Sequence, residues 1–240
     1  MIFYRIYQFI IMLPLMIVIT VLASLIVVIG SLLGGGRVIG FYPSMVWARC
    51  MAWLTLVRVE VRGRDNVAPG RSYIFVANHQ GAYDIFAIYG WLGHNFVWMM
   101  KKSLEKIPLV GYACLRAGHI YVDRRSPSAV HATMVTAEKR IAEGRSVVVF
   151  PEGTRSRNGK LGVFKRGAYA LAQEFNLPVV PITIDGAYDV MPIGHRLPRP
   201  GRIILTIHHP IEAPAEGHDM TELIARSREA IASALPERLR

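Results

Sequence analysis

Apolar and polar positions divide this 240-residue chain into two regimes. Between Ile6 and Gly36 no Asp, Glu, Lys, Arg or His interrupts the run FIIMLPLMIVITVLASLIVVIGSLL, which exceeds the roughly 20 apolar residues that cross a hydrocarbon core. The pattern predicts a membrane-embedded helix over about 6–33, spanning or re-entrant, that Pro14 can kink, with Tyr4, Tyr7, Phe41 and Tyr42 suited to the two interfaces. A signal peptide fits less well, because no small-residue cleavage site follows and LLGGGRVIGFYPS reads as a hinge. Next comes SMVWARCMAWLTLV, residues 44–57, too short to cross and carrying Arg49. It predicts an interfacial helix with Trp47 and Trp53 dipping into the lipid, an ordinary core helix being the alternative. Residues 1–57 thus read as a membrane segment and 58–240 as one globular domain.

In the globular part the period changes. VRVEVRG alternates with period two and predicts an edge or half-solvated strand. SYIFVAN, GHIYVDR, SVVVFP, PVVPITI and RIILTIHH are short β-branched runs bounded by Gly, Pro or polar breaks. Between them SPSAVHATMVTAEKRIAEG predicts a helix with Ser126 as N-cap, Pro127 at its first position and Gly144 as its stop. KRGAYALAQEFN and DMTELIARSREAIASAL show helical spacing as well. Alternation of strand and helix predicts an α/β layered sheet, whose sites gather beyond the carboxyl ends of strands. Two breaks fall there, NHQGAYD after Ala77 and PEGTRS after Phe150, and they share one edge if their strands are parallel.

Charge adds to this picture. The net charge is +11, and no acid precedes Glu60, whereas Arg5, Arg37 and Arg49 do; the remainder holds 25 bases against 17 acids. A basic domain behind a membrane segment seeks anionic headgroups and phosphorylated substrates. Nucleic acid finds no support, since zinc spacing, a basic helix and an aromatic stacking strip are all missing. The positive-inside rule favours a domain facing the cytoplasm at the cell (inner) membrane. Cys50 and Cys114 lie far apart in sequence and predict free thiols in a reducing compartment.

The candidate chemistry sits on the two loops. Five positions on a continuous helix are about 140° apart, so His79 must precede the helix that carries Asp84 if the two are to meet. With Asp84 in the first turn, its carboxylate accepts from Nδ1–H, fixes the tautomer and leaves Nε2 as a base. Gly81 permits the tight turn between them, and Asp84 suits the helix's positive end. No Gly-x-Ser-x-Gly elbow accompanies the pair, so the activated hydroxyl belongs to a substrate. The plainer reading is a capping His79 with Asp84 offsetting the helix dipole; one His and one Asp do not make a metal set. On the second loop, Arg155, Arg157, Lys160, Lys165 and Arg166 cluster, with Gly153 and Thr154 offering backbone and hydroxyl donors. Cations at a helix start are disfavoured, so Lys165 and Arg166 point to a bound phosphate that Arg155 grips bidentately, or to a basic loop facing anionic lipid. Lys101 and Lys102 follow the strand-like NFVWMM and add to this field. Glu152 either orients a substrate hydroxyl or pairs with an arginine, and Asp123 with Arg124 has the same two readings.

The blocks NHQGAYD, GHIYVDR, FPEGTRS and VVPITI, in that order over about 110 residues behind a membrane segment, resemble the four motifs of the glycerolipid acyltransferase family, closest to its 1-acylglycerol-3-phosphate O-acyltransferases (lysophosphatidic acid acyltransferases). KKSLEKIPLVG, residues 101–111, matches that family's linking segment. The resemblance implies a mixed β-sheet flanked by helices, of the glycerol-3-phosphate acyltransferase kind, with an N-terminal two-helix element seated in the bilayer. It implies that His79 is the general base, Asp84 its partner, and Glu152, Gly153, Thr154 and Arg155 the acceptor-binding loop. Lys101 and Arg124 become phosphate contacts. The expected activity is acyl transfer from acyl-CoA or acyl-carrier protein, as co-substrate, to the sn-2 hydroxyl of lysophosphatidic acid, with no metal or redox cofactor. The oxyanion falls to backbone N–H groups near Gly81 or Gly153. Gly81 stands where the family often has Ser, which implies a looser loop, and His119 in the second block is unusual. The alternatives are another lysolipid or glycerol-3-phosphate as acceptor, a hydrolase, and a non-catalytic basic membrane tether.

Overall fold

The computed structural model describes residues 2–123, 125–215 and 217–240. Its chain begins as one rod: α1 (Ile2–Tyr7), a π-helical turn at Gln8–Met12, and α2 (Leu13–Leu32). The π turn falls where Pro14 has no N–H to give, and α2 resumes with Pro14 in its first turn, so the proline is absorbed without breaking the rod. The run from Ile2 to Leu32 is long and apolar enough to cross a membrane by length and composition.

The expected hinge is short. Leu33–Gly35 is the turn, with Gly34 at φ 89°, and α3 runs Gly36–Leu54 with Pro43 inside it. This corrects the expected helix of 44–57, which starts eight residues earlier and stops at Leu54. Two glycines of the expected hinge are places of close approach, whereas Gly34 stands in open space: a Cβ on Gly35 would run into the Ile39 side chain, and one on Gly40 would meet the Ala117 backbone at 3.0 Å. Phe41, Ala48 and Ala52 of α3 belong to the protein core. Trp47 is turned inward to the protein, its Nε1 donating to Thr20 Oγ1 at 2.9 Å and its ring edge-on to Phe86; Trp53 alone keeps the exposed position expected of both.

Seven strands form the sheet: β1 (Val57–Arg62), β2 (Ile74–Ala77), β3 (Phe96–Lys101), β4 (Ile120–Val122), β5 (Ser146–Val149), β6 (Val179–Asp185) and β7 (Gly201–Ile207), in the order β1-β7-β6-β2-β5-β3-β4. β4, β3, β5, β2 and β6 are mutually parallel; β7 runs antiparallel to β6, and β1 follows β7. The strand read as an edge, β1, is one. The remaining helices are α4 (Tyr83–Trp91), α5 (Val110–Arg116), α6 (Pro127–Ala142), α7 (Gly167–Glu174), α8 (Ala187–Val190) and α9 (Thr221–Ser233). Ser126 caps α6 as its sequence requires, accepting from Ala129 N at 3.2 Å.

Strand residues alternate between two cores. Phe75, Ala77, Val148, Ile182 and Ile184 pack under α3 and α4, whereas Ile74, Val76, Val147 and Val179 pack under α7 and α9. Because β1 is reversed, it begins at the edge where the parallel strands end, and α3, which feeds it, ends there too. Tyr4 and Tyr7 donate to the carbonyls of Thr55 and Leu54, and buried Gln8 donates to Pro198 O at 2.8 Å, so the rod starts at that same edge. At its other end Arg116 holds Ser31 through Oγ at 3.0 Å. The rod therefore lies along the first face, held at both ends and by Trp47 in between, with its outer side apolar and exposed.

His119 is a core histidine. Trp98 N donates to its Nδ1 at 3.2 Å and its Nε2 lies 3.0 Å from the Tyr89 hydroxyl, which fixes the neutral Nε2–H tautomer. Burial, with Arg145 and Arg140 behind it, lowers its pKa from 6.5 to about 3. A histidine depressed in the folded state contributes stability that is present above the unfolded value and lost as pH falls from 6.5 toward 3. Denaturation at pH 7.5 to 4.5 is expected to show falling stability. His119→Gln is expected to flatten that slope by about 1.4 kcal/mol per pH unit, the effect of one proton.

Candidate active site

β2 and β5 are adjacent and parallel, with Val76 opposite Val149, so the loops that follow them open side by side. As β2 ends, buried Asn78 continues its ladder with a side chain: Oδ1 accepts from Ile184 N and Nδ2 donates to Ile184 O, both at 2.8 Å. The backbone is then free to turn, and His79 enters the crevice.

The His79 ring is fixed on two sides. Nδ1 lies 2.7 Å from Asp84 Oδ2, and the ring stacks on Phe150 with centroids 3.9 Å apart and planes 9° from parallel. Phe150 stacks in turn on Trp98. Asp84 is fully buried in the first turn of α4, and its Oδ2 also accepts from Gln80 N at 2.7 Å and Gly81 N at 2.9 Å. Its Oδ1 has no partner among the described residues. The His79 side chain is 15% exposed, and Nε2 has no protein partner among them. A carboxylate with no solvent and an imidazole with one open nitrogen form a proton acceptor held in one tautomer. The capping reading of His79 fails, because its ring contacts the carboxylate rather than helix amides.

Three further bonds tie the two loops. Glu152 Oε1 accepts from His79 N at 2.8 Å, Ser156 N donates to His79 O at 2.7 Å, and Gln80 Nε2 donates to Gly159 O at 2.8 Å. Glu152 Oε2 accepts from Gly162 N at 3.0 Å. Glu152 pairs with no arginine among the described residues; it is a buried brace with each oxygen on one backbone amide. Burial pushes its carboxyl up, against those two amides, which pull it down. Gly81 also needs correction. Its φ is ordinary, but a Cβ would stand 2.6 Å from Ala187 O and 2.8 Å from Met191 O, so glycine is demanded by α8 packing close, and the loop is tight rather than loose.

Of the amides near which the oxyanion was expected, those of Gly81 and Gly153 themselves are taken, Gly81 N by Asp84 and Gly153 N by Phe150 O at 3.0 Å. The amides of Thr154 and Arg155 have no partner among the described residues. Half-buried Arg155 directly precedes the amide on His79 O, which sets its backbone next to that of His79. Lys101 ends β3, next to β5, exposed at the same edge. Lys165 and Arg166 immediately precede α7, as expected, and Lys165 N donates to Pro151 O at 3.0 Å, at the start of the second loop. Thr221, with a smaller contribution from the Arg166 charge, holds the Asp219 carboxyl low. Arg124 lies outside the described residues; Asp123 pairs with Arg125 at 2.6 Å, which holds its carboxyl at about 2. No three His, Cys, Asp or Glu side chains gather as a metal set among the described residues.

With this geometry in view, residues 58–185 match the sequence profile of the acyltransferase family. A 1-acyl-sn-glycerol-3-phosphate acyltransferase of Chlamydomonas reinhardtii is 31% identical over 235 residues, covering 97% of this chain and 68% of the algal protein. The chain belongs to the acyltransferase family. This acyltransferase is also 33% identical over 185 residues to 1-acyl-sn-glycerol-3-phosphate acyltransferase alpha of Homo sapiens, covering 75% of this chain and 65% of that one. The 1-acyl-sn-glycerol-3-phosphate acyltransferase of Borreliella burgdorferi is 36% identical over 132 residues, 55% of this chain and 53% of the other. The crystal structure of the 1-acyl-sn-glycerophosphate (LPA) acyltransferase PlsC from Thermotoga maritima superposes with a TM-score of 0.74 at 28% identity, over 86% of this chain and 84% of that one. The chain thus spans between about half and two thirds of the length of these three curated relatives. The mixed sheet with flanking helices is the architecture the four blocks implied for this acyltransferase.

Four contributors to the site escaped the sequence reading: Asn78, Gln80, Phe150 and Ser156. An amide directly after a strand was a readable signal for Asn78. The others act through partners on the opposite loop, and no spacing within one loop announces them.

Proposed function

We propose that the protein transfers an acyl chain from a thioester to the sn-2 hydroxyl of 1-acylglycerol-3-phosphate, giving phosphatidic acid for phospholipid synthesis. The observation that carries this reading is the His79 ring, locked through Nδ1 on a fully buried carboxylate with Nε2 open to the crevice. Nε2 takes the hydroxyl proton as the oxygen attacks the thioester carbonyl, and the imidazolium, facing Asp84, returns it to the departing sulfur. The free amides of Thr154 and Arg155 are the loop's remaining donors for developing negative charge. Arg155 and Lys101 clamp the acceptor's phosphate. The chemistry as written uses no metal or redox cofactor. The donor is acyl-CoA or acyl-carrier protein.

The acceptor's tail stays in the bilayer, into which the outer faces of α2 and α3 are set, with the domain on the cytoplasmic side of the cell membrane. The rod's first residues, Ile2, Phe3 and Phe9, are exposed where the carboxyl ends of the strands lie, which sets lipid beside the crevice.

Labelled acyl donor and lysophosphatidic acid, with products separated by thin-layer chromatography, test the reading. Labelled phosphatidic acid is expected; labelled free fatty acid in its place would make the protein a hydrolase. Arg155→Ala is expected to raise the acceptor's KM ten- to a hundredfold, the worth of a hydrogen bond to a charged group, with kcat little changed.

A further inference from the structure

At the amino ends of the parallel strands, across the sheet from the crevice, three arginines from separate segments converge. Arg116 ends α5, Arg140 lies in the last turn of α6, and Arg145 leads into β5; with Glu143, Gly34 and Gly118 they line an open cleft of about 490 Å³. A Cβ on Gly118 would strike Arg145 Nη1 and meet the Arg140 guanidinium at 3.3 Å, so glycine at that position is what lets two cations approach each other. Each fork is held in place. Arg145, only 4% exposed, donates through Nη1 to Ala117 O at 2.8 Å, Arg116 holds Ser31, and Arg140 Nη1 donates to Glu143 at 3.1 Å. Arg140 Nε is buried with no acceptor among the described residues. Three guanidiniums thus share one carboxylate among the described lining residues, leaving two positive charges. Their field reaches the core, where after burial the charges of Arg145 and Arg140 are the further causes that depress His119.

We propose that this cleft binds the phosphomonoester headgroup of a membrane lipid, at a site separate from the crevice. The inference goes beyond the acyl-transfer reading and does not depend on it. A phosphomonoester carries about −1.5 to −2 charge at pH 7, which matches the excess of two, whereas a phosphodiester carries one charge. Guanidinium forks grip phosphate oxygens in pairs, and partial burial keeps salt from screening the contact. The neighbourhood supplies the lipid. Gly34 of the lining follows Leu32 and Leu33, 62% and 82% exposed at the tip of the rod, and Arg116 follows exposed Leu115. A headgroup in the cleft therefore has apolar surface beside it for its chains, which a free phosphate ion does not use. The four residues of β5, about 13 Å of strand, separate this edge from the catalytic one, so the rod meets headgroups at both of its ends.

The test is sedimentation of the full chain with phosphatidylcholine vesicles that contain phosphatidic acid or, at matched surface charge, phosphatidylglycerol. Each variant is also made in an Arg155→Ala background, which removes the crevice's own phosphate contact. Arg140→Gln is expected to weaken binding to phosphatidic acid vesicles about fivefold in both backgrounds, the worth of one arginine near an anionic surface. Binding to phosphatidylglycerol vesicles and the melting temperature should change little. Glu143→Gln is expected to strengthen binding to phosphatidic acid vesicles by a similar factor, which a damaged fold would not do. The proposal is overturned if Arg140→Gln binds phosphatidic acid vesicles as wild type does, if Glu143→Gln weakens that binding, or if both vesicle types respond alike, which leaves only diffuse attraction. Inorganic phosphate at the concentration of the lipid phosphate is expected to leave sedimentation unchanged. Release of the protein by that ion would assign the cleft to free phosphate and overturn the lipid.

Discussion

Replacing His79 by alanine is expected to lower kcat by about 10²- to 10⁴-fold, the usual contribution of a positioned general base, while the acceptor's KM changes little. The fold is expected to survive. The ring sits at a crevice rim, and its backbone amide and carbonyl keep their bonds to Glu152 and Ser156. What is lost is the stack on Phe150 and the one basic nitrogen open to the crevice. Melting temperature and vesicle sedimentation of the variant should therefore stay close to wild type, which separates a catalytic loss from misfolding. Near-normal turnover in the variant would remove the base assignment.

Asp84→Asn is expected to have a comparable effect on turnover and a smaller one on stability. Oδ2 accepts from three N–H groups, those of His79 Nδ1, Gln80 and Gly81, in a fully buried position. An asparagine oxygen can stand in the same place and keep these bonds, but it cannot offset the charge of the imidazolium that forms as the substrate hydroxyl loses its proton. The loss expected is about 10²- to 10⁴-fold in kcat, as for the corresponding exchange in serine-type triads. Asp84→Ala is different in kind. It leaves the buried Gln80 and Gly81 amides without an acceptor, at roughly 1–3 kcal/mol each, and is expected to lower the denaturation midpoint as well. Parallel measurement of kcat and urea midpoints for the two variants distinguishes the electrostatic contribution from the structural one. An Asn variant with wild-type kcat would show that the carboxylate serves only to cap the loop.

Much of the site was legible because it is local. His79 and Asp84 are five residues apart, and only one arrangement, loop followed by first helical turn, lets them meet. Glu152 was ambiguous for the opposite reason: its partners, His79 and Gly162, come from another loop and from ten residues on, and a lone acid among arginines suggests an ion pair far more readily than a brace. Gly81 shows the same limit. A glycine before a helix suggests conformational freedom, whereas its necessity comes from α8 packing more than 100 residues later in the chain. Trp47 suggested a lipid anchor until its indole met Thr20 from the neighbouring helix.

Periodicity and composition by themselves determined the long apolar rod, the alternation of strands and helices and the helix that Ser126 begins, and they offered an edge strand and the pairing of an imidazole with an acid. Each of these depends on backbone preference or burial within some 30 residues of chain. Only the tertiary structure decided that β2 and β5 lie side by side and that the rod lies along one face with its start at the catalytic edge. It alone decided that the amides of Gly81 and Gly153 are already taken. These outcomes depend on which segments become neighbours once two cores close on opposite faces of the sheet, and each backbone hydrogen bond spent in that closure is one that a local pattern cannot count.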